Sequence, residues 1–596
     1  MTNGTTNSAA PRWPGWLAAG LLAAVVWAVF WRAQFGALLR WDDDNNIVAN
    51  EHLRALSAEN LRWMFTDLQR NLRYSPLAWL GWAVNGAWFG MSARSLHVGN
   101  LVFHSLNTVL VFWLSQRLLR LARGPQGEER SEWVGTAAAF LGALWWGIHP
   151  LRTEAVAWAT ARTYGQAVFF LLLATLAYLE AVTSVSSPAR RRWLYWASVA
   201  AFTVSLLTYP VGLGFAAVPL AIECWLRTTG AAAFDGPRPN GLRGAGWRTT
   251  PFVVAAAGMV LISVWARMHA SAYWTPSPSL AQFGLLARAM QASYVWVYYL
   301  WKPWWPFNLS PVYTTLVEFR AGGAAFVGSL IAVLAITGLV AWRRRQWPGS
   351  AALWFCHLAL LVPVLGLTDH PHFPNDRYGY FASIPASVAV AALVLKLWRG
   401  QLWRPVVVAG SLFVAVCCAM LSVAQVRIWQ DSVTLFRYML AELGENPYRF
   451  DTLRRLGEAL AVEGNFAEAK VCALESLRIN PASFRAHDLL GQILEAEGQP
   501  AAAIAHYEQV VQFLPESAAA QFRLGRSLLV TGRTSEAVLA LERSVRLEAR
   551  DPDARYHLGV ALGRTGQAKA ARSQLEAALQ LRPDFPAARA EWERLP

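Results

Sequence analysis

The chain has 596 residues, 55% hydrophobic and only 15% charged, with 31 Trp and a formal net charge of +15. That apolar and aromatic excess excludes a disordered chain and an ordinary soluble domain, and defines a membrane protein. The positive charge comes largely from Arg, which the positive-inside bias places in cytoplasmic loops, so no nucleic-acid partner is expected.

Arg12 precedes an apolar run from Trp16 to Phe30 that continues to Leu39 without an A-x-A cleavage site. This predicts an uncleaved first span with a cytoplasmic N-terminus rather than a secretory signal. A first external loop, 40–74, opens with Trp41 and three consecutive carboxylates, Asp42, Asp43 and Asp44, followed by Asn45, Asn46 and Asn50. A single Asp beside a span is commonly a solvated cap, but three together at a place where desolvation is expensive point to function. Leu61-Arg62-Trp63-Met64-Phe65 and Tyr74-Ser75-Pro76-Leu77 are amphipathic and aromatic, as in a segment lying on the interface and folding over that loop.

Further apolar segments lie at Leu96–Leu114, Val134–Ile148, Gly165–Leu179, Trp193–Leu207, Val211–Leu226 and Phe252–Val264. Others are Ala324–Trp342, Ala351–Leu367, Tyr380–Leu397 and Val406–Val423, which with the first makes eleven crossings. Leu285–Trp301 is apolar but carries Arg288 and Gln291. If it does not cross, the Arg-rich loops at Arg117–Arg130, Arg190–Arg192, Arg227–Arg248, Arg343–Arg345 and Lys396–Arg404 all fall on the cytoplasmic side. The reading is therefore an interfacial, broken or re-entrant helix there. The same parity puts the loops Asp42–Arg73, His149–Arg162 and Thr368–Tyr378, together with the C-terminal tail, on the external side.

The tail repeats with a period of 34. Leu456-Gly457 recurs as Leu490-Gly491, Leu524-Gly525 and Leu558-Gly559; Gly464 recurs as Gly498, Gly532 and Gly566; Ala469, Ala503, Ala537 and Ala571 keep the same step. Pro447, Pro481, Pro515 and Pro583 open successive units, with Ala549 interrupting the series. This resembles tetratricopeptide repeats, at about 446–479, 480–513, 514–547 and 548–581, in a domain taken as 429–596 after a membrane domain of 1–428. Asp431–Glu442 is expected to form a leading helix. The fold class is all-α: a polytopic helical membrane domain followed by an α-solenoid.

Several stretches of the membrane domain together resemble the TMTC-type protein O-mannosyltransferases, a branch of the GT-C glycosyltransferases, and their bacterial relatives. They are Trp41-Asp42-Asp43 with Ile47 and Asn50, Tyr74-x-Pro76-Leu77, and His97-x-x-Asn100-Leu101-x-x-His104-x-x-Asn107. His149-Pro150-Leu151-Arg152-Thr153-Glu154-Ala155-Val156-Ala157-Trp158 with Arg162 follows, then Trp305-Pro306-x-Asn308-Leu309-Ser310-Pro311-x-Tyr313. Asp376-Arg377-Tyr378-x-Tyr380 and Trp429-x-Asp431-Ser432-x-Thr434-Leu435 complete the set, and the repeats follow in the family's order. The resemblance implies a GT-C-like domain that moves a sugar, mannose in the characterised relatives, from a polyprenyl-phosphate donor to Ser or Thr hydroxyls of exported proteins.

An acceptor hydroxyl needs a base, and Asp42 is assigned that role with Asp43 as the second carboxylate of the pair; Asp44 is left as solvated surface. Arg162 and Arg377 are the candidates to hold the lipid phosphate, with His149, Glu154, Asp376 and Tyr378 as substrate-binding neighbours. Each has a structural alternative: an interfacial anchor for Arg162, an ion-pair partner of Asp376 for Arg377. His97, His104 and Asn107 share one helical face, which interspan hydrogen bonding explains as well as ligation. No cofactor or metal is required; His370 and His372 beside Asp369 make a weak metal loop, and the five cysteines suggest neither disulfides nor zinc.

Two departures from the family pattern bear on the donor. Tyr209-Pro210 stands where relatives commonly have Lys-Pro, and Asn375 replaces the usual Ala. The expected localisation is a bacterial inner membrane, with the repeats on the periplasmic side taking an acceptor protein or peptide in their groove. Two other functions fit some of these features: a non-catalytic membrane-anchored repeat scaffold, and a lipid-linked polysaccharide ligase or polymerase.

Overall fold

A computed structural model describes residues 15–68, 74–123, 132–229, 241–268, 281–316, 319–367 and 372–595. Every regular element among them is helical. The chain divides into two compact units, Met1–Leu435 and Phe436–Pro596, and the Ser432–Leu443 helix carries it from one to the other.

Among the described residues of the first unit seven helices are long and apolar enough to cross a membrane: Gly15–Phe35, Ala93–Arg123, Ala159–Thr183, Pro210–Thr228, Gly246–Ala266, Ala324–Arg343 and Gln401–Ile428. Up to nine result if two bent pairs each count as one span. Those pairs account for two of the eleven expected crossings. Val134–Ile148 lies in Glu132–Gly147, which is followed by Pro150–Ala157 at 58°, and Tyr380–Leu397 is divided between Asp376–Ala382 and Ile384–Trp398 at 55°. Pro150 and Pro385 sit in the first turns after the two breaks, where a missing N–H is harmless.

Two other expected crossings are helical but shorter in apolar length. Trp193–Leu207 lies in Pro188–Thr208, whose first turns hold Arg190, Arg191 and Arg192. Ala351–Leu367 contains the shorter apolar helix Pro348–Val364. Of the three alternatives expected for Leu285–Trp301, interfacial, broken or re-entrant, the structure overturns the broken helix. No Gly or Pro interrupts it, and it forms one continuous 17-residue α-helix that buries Gln291 and Ser293 along with its apolar face.

Small residues and inward polar groups join these helices. Ser387 Oγ donates to the Gly142 carbonyl (3.0 Å), and a Cβ at Gly142 would come within 2.7 Å of the Ser387 carbonyl. Ser198 and Ser205 reach across to the carbonyls of Ala174 and Ala167, both 24 or more residues away in sequence. His104 binds Tyr380 Oη at 2.9 Å and the Gly147 carbonyl at 2.7 Å, while Asn107 donates to Tyr380 Oη and the Gly165 carbonyl. These two motif residues therefore clamp helices together.

The second unit is a run of paired helices from Arg449 to Arg594. Asn465, Ser483, Ser517 and Asp551 cap helix starts by accepting main-chain N–H groups. Gly491 lies against Tyr507, where a Cβ would stand 2.6 Å from a ring carbon, which explains the small residue at this repeat position. Gly532 turns between helices at φ +83°. Gly532→Ala is expected to destabilise the array by about 1–2 kcal/mol, since an L side chain resists that conformation. An unchanged urea midpoint of the array would contradict this.

Candidate functional site

The acidic run meets the chain again at 149–164, a stretch that alternates short helices with extended residues. Pro150–Arg152 is a 3-10 turn, Thr153–Ala157 one α turn, Trp158 is extended, Ala159–Ala161 is 3-10, and Arg162 starts a long helix. Such irregular backbone needs side-chain partners when buried. Asn100 supplies them, donating through Nδ2 to the carbonyls of Trp158 (2.7 Å) and Val156 (3.3 Å).

The three acids occupy three environments. Asp42 is exposed and has φ +106°, a strained backbone for a non-glycine residue. Asp43 is fully buried: Oδ2 accepts from Leu39 N–H (2.8 Å), and Oδ1 accepts from the N–H (2.8 Å) and hydroxyl (2.6 Å) of Thr160. It latches the first loop to the 149–164 stretch. Asp44 opens a short π-helical turn and is half-buried, with Oδ1 enclosed and without a hydrogen-bond partner among the described residues, so it is more than solvated surface.

Burial pushes the Asp43 carboxyl up to about 6 against the opposing pull of the Thr160 and Leu39 hydrogen bonds, and the neighbouring Asp42 charge acts in the same direction as burial. The folded protein therefore holds this proton more tightly than the unfolded chain, and stability falls as pH rises from about 4 through about 6. Asp43→Asn should flatten that slope in thermal melts between pH 4 and 7. A slope identical to wild type would assign the pH dependence elsewhere.

A second cluster also binds the 149–164 stretch. Arg377 donates from its main-chain N–H to Glu154 Oε2 (2.6 Å), from Nη1 to Oε1 (2.5 Å), and from Nε to Tyr164 Oη (3.2 Å). Its guanidinium lies over the rings of Trp158 and Tyr378. Glu154, not Asp376, is thus the ion-pair partner of Arg377. Asp376 accepts instead from Tyr313 Oη (2.7 Å), with Lys302 near enough to act on its charge. Tyr378 is largely buried and stacks parallel to His372.

Arg162 turns elsewhere. Nη1 donates to Asn85 Oδ1 (2.9 Å), and the guanidinium passes over Gly99, where a Cβ would stand 3.1 Å from Cζ. Among the described residues Arg162 and Arg377 share no hydrogen-bond partner, although both border the same stretch. His149 uses both ring nitrogens: Nδ1 accepts from Leu151 N–H and Nε2 donates to the Pro303 carbonyl (2.8 Å), so it shapes the backbone. His97 faces the Ala37 carbonyl at 3.4 Å. Asp369 and His370 lie outside the described residues, as does Arg73. Among the described residues no group of three or more His, Cys, Asp or Glu is placed to hold a metal.

The sequence reading did not single out Thr160, Tyr164 or Asn85, which bind Asp43, Arg377 and Arg162. Asp43 and Thr160 are 117 positions apart, and no local spacing announces the contact. Tyr209 sits within this site: its hydroxyl is 3.3 Å from that of Tyr164, the partner of Arg377.

Tetratricopeptide-repeat family models match residues 454–518, 494–562 and 552–585, so the second unit carries tetratricopeptide repeats. Among solved structures the chain is similar to a MamA RS-1 double mutant at 23% identity, covering 26% of this chain and 86% of that one with a TM-score of 0.24. It is also similar to YrrB, described as a tetratricopeptide-repeat protein with an unusual peptide-binding site, at 20% identity over 27% and 81% of the two chains with a TM-score of 0.25. A third is TTC0263, a thermophilic tetratricopeptide-repeat protein of Thermus thermophilus, at 18% identity over 27% and 88% with a TM-score of 0.22. None of the curated proteins matches the chain.

Proposed function

We propose that this chain is a membrane-embedded protein whose repeat array holds an extended polypeptide segment. The supporting observation is a row at one repeat position. Asp488, Phe522 and Tyr556 stand 34 residues apart on the first helices of successive pairs, each half-exposed. Ion pairs between neighbouring repeats fix this row: Arg523 to Asp488 at 2.6 Å and Arg526 to Glu495 at 2.6 Å, with Arg526 also over the Phe522 ring. Rigid aromatic groups flanked by oriented charges suit a peptide with alternating apolar and polar contacts. Phe522→Ala with Tyr556→Ala is expected to weaken binding of an unstructured Ser/Thr-rich peptide by about tenfold or more, read by fluorescence anisotropy. Unchanged affinity would reject the row as the binding face.

A second reading makes the held polypeptide an acceptor. In it, the first unit transfers a sugar, mannose by family resemblance, from a polyprenyl-phosphate donor to a Ser or Thr hydroxyl. It is favoured by the contrast between Asp42 and Asp43. An exposed carboxylate on a strained backbone, held beside a buried one that latches the loop through three hydrogen bonds, suits the presentation of a base. Asp42 takes the hydroxyl proton, Asp43 positions it, and the guanidinium donors of Arg377 not used on Glu154 meet the departing phosphate. Arg162 offers a further cation on the same stretch. No metal step is required.

The localisation belongs to the same proposal: a bacterial inner membrane with the repeats in the periplasm. An alkaline phosphatase reporter after Pro596 should be active, and an inactive reporter there with active cytoplasmic reporters would reverse the topology.

A further inference from the structure

One segment of the chain, 366–376, holds the helix Leu285–Trp301 at both ends. In the first half of the helix Gln291 Nε2 donates to the Gly366 carbonyl (2.7 Å), and Arg288 donates to the Leu367 carbonyl. Near its end Tyr299 Oη donates to the Asn375 carbonyl (2.6 Å). The loop that follows is tied to the same place. Tyr313 Oη donates to Asp376 Oδ1 (2.7 Å), Lys302 lies over the Tyr313 ring, and the Pro303 carbonyl accepts from His149 Nε2 (2.8 Å).

The helix has 17 residues, about 25 Å at 1.5 Å per residue, so a crossing would put its two ends near opposite faces of the hydrocarbon. Segment 366–376 would then have to cross beside it. That segment carries Asp369, His370, His372 and Asp376, a polar run that hydrocarbon rejects. Both ends of the helix therefore belong to one face, and the parity of the Arg-rich loops makes it the external one.

The middle of the helix is covered by protein, with Met290, Ala292, Val295 and Tyr299 buried. Its ends are not. Leu285 and Leu286 are exposed at the start, and Trp301, Trp304, Trp305 and Phe307 are exposed at the end and in the loop beyond. Lys302, within the aromatic group, turns inward: it is buried and donates through Nζ to the Phe307 carbonyl (2.7 Å). Trp304 stacks on Trp145 with ring centroids 5.2 Å apart, which fixes the group to the rest of the unit. Exposed indoles belong at a membrane–water boundary, and apolar footholds at both ends of one helix suit a helix lying in that boundary.

We propose that Leu285–Phe307 is a bilayer anchor: the helix lies along the external leaflet, with the two leucines at one end and the aromatic group at the other entering the boundary between headgroups and acyl chains. The inference rests on the first unit being membrane-embedded but not on sugar transfer. Its consequence is positional. Asn375 and Asp376 are bound by the helix and its loop, so the Asp376-Arg377-Tyr378 turn is held at the level of the headgroups.

The test places a fluorescent amino acid at Leu286 or at Phe307 of the full-length protein, in nanodiscs of phosphatidylcholine doped with nitroxide lipid. Each probe is expected to be quenched at least about twofold more by a nitroxide on the headgroup or high on the acyl chain than by one at the chain end, because an interfacial segment enters only about 5–10 Å. In right-side-out membrane vesicles, nitroxide lipid added to the outer leaflet alone should quench both probes. Quenching of only one would mean that the helix crosses, and either that result or the absence of lipid quenching at both positions would overturn the anchor. If the labelled proteins do not fold, benzoylphenylalanine in place of Trp305 decides the question: phospholipid adducts are expected after irradiation, and adducts to protein alone would overturn the assignment. Recovery of the protein from membranes without detergent would overturn the anchor together with the membrane reading beneath it.

Discussion

Asp42→Asn is expected to lower sugar transfer by about 10²- to 10⁴-fold, the range lost with a general base. The substitution is informative because of the backbone at this position. Asp42 has φ +106°, and Asn tolerates positive φ about as well as Asp, so the variant removes the charge while keeping the strained turn. Peptide affinity for the repeats should be unchanged. Asp43→Asn is expected to act differently, because Oδ2 accepts from Leu39 N–H and Oδ1 from both donors of Thr160. An amide cannot accept at both ends, so one contact of the latch is lost. Transfer should then fall together with thermal stability, whereas Asp42→Asn lowers transfer alone. Equal transfer by wild type and both variants would remove the acidic pair from the chemistry.

The second large effect concerns the Glu154–Arg377 pair. Its side chains are 1% and 16% exposed, so neither charge has bulk water to fall back on. Removing one partner is expected to destabilise the first unit by about 3–5 kcal/mol, because the other is left buried and uncompensated. Glu154→Ala also deprives the Arg377 main-chain N–H of its acceptor. The double variant Glu154→Gln with Arg377→Met should therefore cost less than the sum of the two single changes, read by unfolding in detergent. Strict additivity would show that the pair does not act as a unit. Arg377→Lys keeps the charge but loses the fork that binds Glu154 and Tyr164 together, and should fall between wild type and Arg377→Ala.

The parts of this fold that were legible from sequence are those governed by local repetition. The 34-residue period at Gly457, Gly491, Gly525 and Gly559 defined the helical pairs, because each glycine faces a neighbouring side chain such as Tyr507 or Leu541. Long apolar runs located the helices of the first unit for the same reason. Breaks inside those runs were harder to read. The bend before Ile384 falls inside the expected crossing Tyr380–Leu397, where Ser383 Oγ accepts from Arg152 and no change in hydropathy marks it, whereas the bend after Gly147 coincides with the end of the Val134–Ile148 run. At Leu285–Trp301 only the broken alternative fails. Arg288 and Gln291 suggested an interruption, yet Gln291 donates to the Gly366 carbonyl and Arg288 to the Phe283 carbonyl, so the helix continues unbroken.

For the candidate site, residue types carried more than residue roles. The acidic run and the Asp376-Arg377-Tyr378 turn both bind the 149–162 stretch, through Thr160 and Glu154. What the sequence did not reveal is the division of labour among them. Asp43, expected as the second acid of a pair, is a buried latch; Arg377, expected to hold the phosphate or, alternatively, to pair with Asp376, binds Glu154, 223 positions away. His149, expected as a substrate-binding neighbour, holds two main-chain groups. Each of these distinctions is a matter of burial and of contacts between distant segments, which a linear pattern does not encode.

Whether the polypeptide proposed to be held by the repeats is also an acceptor, with Asp42 as the base, is tested most directly with purified full-length protein, polyprenyl-phosphate [³H]mannose and a Ser/Thr-rich peptide that the repeats bind. Wild type should attach label to the peptide, and Asp42→Asn should not do so above about one part in a hundred of that rate. Peptide bound at full affinity by wild type but left unlabelled with mannose and with every other polyprenyl-phosphate sugar offered would contradict the claim and leave a membrane-embedded repeat scaffold.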